Sequence, residues 1–276
     1  MLRIPNDDGQ LVTFIKENRG RPSPDLAPKV RTPLLVTDSK GFTLQNSLKA
    51  SDPQLILPFL LWAEAGARAE KLVNTVKSRI DGALSVHGPI QLYFWAGTCD
   101  VTKKTGKKIS LRNPEESSRT LSILSVQYRR LQAIVSDYPN ITLKFLELPY
   151  ITLSKWNHSD GADSLLADKQ ACNQIDSINL LIRQLNKDSN VNTVHFSRDC
   201  TKFRKRKGRA IKASVEISAT SDGVHPSVHV SLKWIRKLQV DIFKTCHQDP
   251  DCLDIAVFSD ELNLLEEDTK KAKSLS

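Results

Sequence analysis

Four short stretches carry side chains able to do nucleophilic or acid–base chemistry. Thr37-Asp38-Ser39 offers a hydroxyl beside a carboxylate, and Gly66 sits in Ala65-Gly66-Ala67-Arg68. Gly97-Thr98-Cys99-Asp100 offers a thiol and a second carboxylate, and Asp222-Gly223-Val224-His225-Pro226 sets an aspartate three residues before a histidine. A serine hydroxyl is a poor nucleophile at pH 7, so it needs a base within hydrogen-bond reach, and an imidazole base needs a carboxylate on its far nitrogen. An Asp and a His three apart on one turn are able to reach the same serine. Taken singly, each residue also has a plainer reading. Ser39 reads as a turn serine capping the next helix, and His225 before Pro226 reads as the start of the last helix.

The remaining histidines and cysteines form no such constellation. His195 lies inside a strand pattern and reads as structural; His229 reads as a surface or packing residue; His87, His158 and His247 have no partner pattern. No H-E-x-x-H motif is present, so no metal and no cofactor is expected. Five cysteines (Cys99, Cys172, Cys200, Cys246, Cys252) at irregular spacing, without a C-x-x-C pair, argue against a disulfide framework. The P-loop, G-x-G-x-x-G and G-x-S-x-G motifs are absent as well. The four tryptophans, Trp62, Trp95, Trp156 and Trp234, read as core.

Charge is concentrated. The chain of 276 residues carries a net +9, yet residues 254–276 hold six acids against three lysines. The excess matches two stretches: Lys103, Lys104, Lys107, Lys108 and Arg112 with no acid among them, and eight cations from Arg198 to Lys212, including Arg204, Lys205, Arg206 and Lys207, against Asp199 alone. Each stretch read alone is a solvated loop. Both are expected to leave the sheet at its carboxyl ends and to meet at the mouth of a site, where they would attract a polyanion such as nucleic acid. Lys202 to Arg209 reads equally as a nuclear-import signal.

The elements that must position these groups alternate between strand and helix. Apolar runs at 34–36, 55–62, 90–96, 143–148 and 191–196 predict five strands, and helical stripes lie at 67–80, 114–136, 168–186 and 227–246. Asn113, Pro114 and Glu116 form a capping-box pattern for the second of these helices. The alternation predicts an α/β fold: a three-layer α/β/α sandwich with a mostly parallel five-stranded sheet and its ligand site beyond the carboxyl ends of the strands. Residues 1–32 read as an extended lead-in, 33–252 as the domain and 253–276 as a loosely attached acidic tail. The longest apolar run, residues 55–63, is too short for a bilayer, and residues 1–8 lack the apolar core of a secretory signal; the expected location is intracellular, cytoplasmic or nuclear.

The four stretches, in this order and each after a predicted strand, resemble the motif blocks of the SGNH hydrolase superfamily, the GDSL-type esterases and lipases, over roughly residues 33–246. That resemblance implies a serine esterase or acyl hydrolase acting on an acyl ester, with Ser39 as nucleophile, His225 as general base and Asp222 orienting it. It also implies an oxyanion hole from the backbone N–H groups of Ser39 and Gly66 and from a third position, which here is Cys99 where the family has Asn. Thr37 departs too, standing where the family has Gly. A thiol is a weak donor, and losing one oxyanion donor costs on the order of 10²- to 10³-fold in rate. The second reading is therefore a catalytically degenerate domain that binds nucleic acid or another polyanion. SGNH-like domains also occur in proteins of animal mobile elements, which a basic version of the fold resembles.

Overall fold

Runs rich in branched and aromatic side chains build the centre of the molecule. The computed structural model describes residues 29–247 apart from 55, 115, 160, 207, 208 and 216. In chain order the elements are β1 (Thr32–Thr37), α1 (Ser39–Ser51), β2 (Leu60–Ala63), α2 (Ala69–His87), β3 (Ile90–Trp95), the single turn α3 (Thr98–Val101), β4 (Thr102–Thr105) and β5 (Lys108–Leu111). There follow α4 (Ser117–Ser136), β6 (Ile141–Phe145), α5 (Leu153–Asn157), α6 (Ala162–Asp188), β7 (Thr201–Arg206), β8 (Arg209–Val215) and α7 (Val228–Cys246). All six residues of β3 are buried, as are five of six in β1, which is the pattern of parallel strands covered on both faces.

The main sheet has the order β2-β1-β3-β6, every pair parallel. The chain steps from β1 to β2 in one direction and from β2 past β1 to β3 and β6 in the other. Right-handed crossovers therefore put α1 on one face and α2 and α4 on the opposite one. Contacts agree: α1 packs on α7, and α4 packs on both α2 and α6. The reversal falls between β1 and β3, so the crevice beyond their carboxyl ends, where Ser39 and Gly97 follow, is the place where such sheets hold ligands. Behind it Phe196 and Trp234 stack and Trp95 meets both edge-on, with centroids 4.9–5.4 Å apart.

The expected fifth strand at 191–196 is not in the sheet. Side-chain amides of α6 occupy the edge of β6 instead: Asn186 Oδ1 accepts from Phe145 N at 2.9 Å while its Nδ2 donates to Phe145 O at 2.8 Å. Asn179 repeats this two-point pairing with the backbone of Leu148, at 2.8 and 2.9 Å. Both carboxamides are buried and satisfy peptide groups that a fifth strand would have paired. The strand expected at 55–62 pairs only as Leu60–Ala63, since Pro53 and Pro58 have no N–H to give a ladder. The capping box also fails. Helix α4 starts at Ser117, and Asn113 spends its amide on Thr120 Oγ1 at 3.0 Å.

The two basic stretches, expected as loops, form antiparallel hairpins β4–β5 and β7–β8. In the first, Gly106 takes φ +60° in a two-residue turn, and alternation turns Ile109 and Leu111 inward while the lysines stay exposed. Lys29 bridges to His247, tying the first described residues to the end of α7. The lead-in up to residue 28 and the acidic tail lie outside the described residues.

Candidate active site

The turn after β1 is built locally. Asp38 caps α1, its Oδ1 accepting from Lys40 N at 3.0 Å, so Ser39 becomes the first helical residue, at the rim of the sheet. Thr37 Oγ1 donates to Trp95 O at 2.9 Å and ties the end of β1 to the end of β3. Gly41 lets α1 lie close to the sheet: a Cβ there would stand 2.5 Å from Thr37 Cγ2.

The histidine comes from the loop before α7. Asp222 Oδ1 accepts from the backbone N–H groups of Val224 and His225, at 2.9 and 2.8 Å, folding the loop into an Asx turn. Gly223 takes φ +101° and its carbonyl accepts from Thr152 N at 2.7 Å; a Cβ on it would lie 2.3 Å from Thr152 O. The turn places His225 Nδ1 2.7 Å from Asp222 Oδ2 and His225 Nε2 2.9 Å from Ser39 Oγ. Burial pushes the Asp222 carboxyl up, but hydrogen bonds from the His225 ring and from the backbone of His225 and Val224 outweigh it and hold the group down at about 2. An ionised Asp222 accepts a hydrogen bond from Nδ1–H and so keeps the proton on Nδ1, which leaves Nε2 as an acceptor for the Ser39 hydroxyl.

Beneath Ser39 lies a lysine that none of the four stretches includes. Lys40 is 1% exposed and ion-paired with the equally buried Asp38. Its Nζ also donates to Thr98 Oγ1 at 3.0 Å and lies 5.0 Å from the Trp95 ring centroid. Lysine is almost never fully buried unless paired, so its type gave no signal; only a charge directly after the Asp-Ser pair, at the foot of an apolar strand, hinted at it. The Cys99 thiol faces the same carboxylate, with Sγ 3.9 Å from Asp38 Oδ2. Burial, reinforced by Asp38, pushes it up to about 12, so it stays protonated. Asp100 joins α3 to the start of α2 by accepting from Ala69 N at 2.9 Å, and burial pushes its carboxyl up to about 6. Gly66, with φ +71°, stands after β2 on the wall of a cleft of about 220 Å³ that Arg68, Glu70, Lys71 and Asn74 also line.

The first basic hairpin lies against the histidine side of this site. Asn157 clamps Ile109, taking its N–H at 2.9 Å and giving a proton to its carbonyl at 2.7 Å. Trp156 Nε1 donates to Lys107 O at 2.9 Å, and Lys104 Nζ stands 5.7 Å from the Trp156 ring centroid. The other face of α5 meets the 220–225 loop, with the Trp156 and His225 rings 6.1 Å apart. Lys103, Lys104, Lys107 and Lys108 are all exposed. The side chains of Arg204, Lys205 and Arg206, and the whole of Lys207, lie outside the described residues, so the expected meeting of the two basic stretches does too. His195 bonds Glu147 Oε1 through Nδ1 at 2.7 Å, away from Ser39. Among the described residues no group of three or more His, Cys, Asp or Glu is placed to hold a metal ion, and no helix is long and apolar enough to cross a membrane.

No protein-family model matches the sequence, and no curated protein matches it. Solved structures do. A GDSL-like lipase from Bacteroides thetaiotaomicron is 14% identical, with 84% of this chain and 98% of that one covered and a TM-score of 0.47. A lipase/acylhydrolase from Enterococcus faecalis is 9% identical, covering 79% and 100%, with a TM-score of 0.47. An acetyl xylan esterase from Geobacillus stearothermophilus is 14% identical, covering 78% and 96%, with a TM-score of 0.44. The chain thus aligns with each of these three structures over nearly their whole length.

Proposed function

We propose that the protein is a serine ester hydrolase. The observation that carries this reading is the continuous hydrogen-bonded chain Ser39 Oγ, His225 Nε2, His225 Nδ1, Asp222 Oδ2 at the carboxyl ends of a parallel sheet. In the first step Ser39 Oγ attacks the ester carbonyl carbon as its proton passes to His225 Nε2. Asp222 stabilises the imidazolium, the carbon–oxygen bond to the alcohol breaks, and His225 returns the proton to the departing oxygen. In the second step water attacks the Ser39 acyl ester, giving one proton to His225, which passes it to Ser39 Oγ; the acid leaves.

The negative charge that develops on the carbonyl oxygen falls to the backbone N–H of Ser39, at the first turn of α1, and to that of Gly66. The Cys99 thiol, spent on Asp38, adds little. With one donor weak, turnover about 10²- to 10³-fold below that of a three-donor site is the expectation.

A fluorophosphonate probe tests the nucleophile and p-nitrophenyl acetate tests turnover. Labelling should be lost in Ser39→Ala, and hydrolysis should be lost in Ser39→Ala and His225→Ala, with unchanged circular dichroism. Equal turnover by wild type and both variants removes the reading. A second reading, a silent site whose basic hairpin binds nucleic acid or another polyanion, draws on the four exposed lysines of β4–β5. Salt-dependent binding of single-stranded nucleic acid, lost when those lysines become alanine, would favour it.

A further inference from the structure

The side of the site on which the alcohol departs is set by chemistry. The imidazole that takes the serine proton must hand it to the leaving oxygen, so the alcohol part of the ester lies against His225 and the acyl part, bonded to Ser39, lies away from it. What flanks His225 is therefore what an alcohol would touch.

That flank is a built wall. Trp156 is half-buried and held at two points besides its ring contacts: its backbone N–H donates to Thr152 O at 3.3 Å, and its indole N–H donates to Lys107 O at 2.9 Å. A Cβ on Gly223 would stand 2.9 Å from Trp156 N, so the histidine loop and α5 are pressed together as closely as a glycine permits. The indole follows the His225 ring at 6.1 Å and the Lys104 ammonium follows the indole at 5.7 Å. Lys103, Lys107 and Lys108 are carried by the same hairpin, and among the described residues none of the four is paired with a carboxylate. Asp222, the carboxylate of the histidine loop, is engaged by His225.

From this order of imidazole, aromatic face and exposed cation, and resting on the hydrolase reading, we infer that the protein is selective for esters whose alcohol carries an anionic group about one ring's breadth from the ester oxygen. The ring or chain of the alcohol lies on Trp156 and its carboxylate or phosphate meets Lys104. The bonds made and broken are those of the hydrolase reaction, and the released alcohol carries the proton from His225 and keeps its anionic group.

The test compares 3-acetoxybenzoate, with its charge on the leaving phenol, with neutral 3-acetoxybenzamide, each kcat/KM divided by the ester's rate with imidazole. The anionic ester should be favoured about three- to tenfold at low salt. That ratio should fall toward one in 0.5 M NaCl, in Lys104→Gln and in Trp156→Leu. Moving the charge to the acyl side, with monophenyl succinate against phenyl acetate, should remove most of the preference. Equal normalised rates for the two acetoxy esters, an equal preference for the acyl-side anion, or a ratio that Lys104→Gln leaves in place would each overturn the inference while leaving the hydrolase reading standing. Turnover of neither acetoxy ester overturns it as well, and fluorophosphonate labelling of Ser39 then tells whether the hydrolase reading falls with it.

Discussion

Replacing Lys40 by Met removes one half of a buried ion pair under the candidate nucleophile. The two side chains are each 1% exposed, so the Asp38 carboxylate would keep only the Lys40 backbone N–H at 3.0 Å and the thiol of Cys99 at 3.9 Å. Leaving a buried charge without its partner costs about 3–5 kcal/mol. Methionine nearly matches the lysine stem in volume and keeps a favourable contact with the Trp95 ring, so the cavity contribution is small. With a urea m-value of about 2–3 kcal/mol/M, the unfolding midpoint should fall by roughly 1–2 M. Adding Asp38→Asn to the same protein removes the orphan charge and retains Oδ1 as acceptor for Lys40 N. The double variant should therefore recover to within about 1–2 kcal/mol of wild type, a coupling of at least about 2 kcal/mol in a double-mutant cycle. Urea denaturation followed by far-ultraviolet circular dichroism measures all four proteins. A Lys40→Met cost below about 1 kcal/mol, or purely additive effects, would refute the reasoning that this pair is dry and mutually dependent.

Gly223→Ala should destabilise the protein by about 3 kcal/mol or more and abolish ester hydrolysis, because φ +101° disfavours a side chain and the Cβ would strike Thr152 O at 2.3 Å; thermal melting and turnover near wild type would contradict this. Glu147 has a fully buried side chain; burial pushes its carboxyl up, but hydrogen bonds from His195, Ser197 and Arg183 bring it down to about 2 from an ordinary 4.5. A depressed carboxylate contributes stability that is complete above its unfolded value and disappears as pH falls through the folded one. Wild type should thus lose about 3 kcal/mol between pH 5 and pH 2 that Glu147→Gln does not lose, and parallel pH profiles of the urea midpoint would exclude the effect. Cys99, pushed up to about 12, should react with iodoacetamide at pH 8 about three orders of magnitude more slowly than an ordinary thiol, and modification at the rate of free cysteine, read by mass spectrometry, would show the thiol is not held against Asp38.

Several features of this molecule are local and were legible in the residues themselves. The uncharged run ending at Trp95 is a strand because it is short, rich in aromatic and branched side chains, and bounded by Pro89 and Gly97. The stripes of α2, α4 and α7 are helices because their apolar residues recur on one face. The Asp222 and His225 pairing follows from three-residue spacing, which lets one carboxylate serve both the backbone and the ring. Tertiary structure decided the rest. Ser39 and His225 are 186 residues apart in the chain, and their 2.9 Å contact exists because the last loop docks on α5 through Gly223. Asn179 and Asn186 look like ordinary helix polar residues until β6 presents an unpaired edge to α6, at which point two carboxamides replace a strand. Lys40 reads as a surface lysine, and its burial depends on Asp38, Thr98 and Trp95, two of them almost sixty residues away. In each of these cases the deciding quantity is the satisfaction of a buried polar or charged group. At least one partner that satisfies it comes from another part of the chain, so no local pattern records the arrangement.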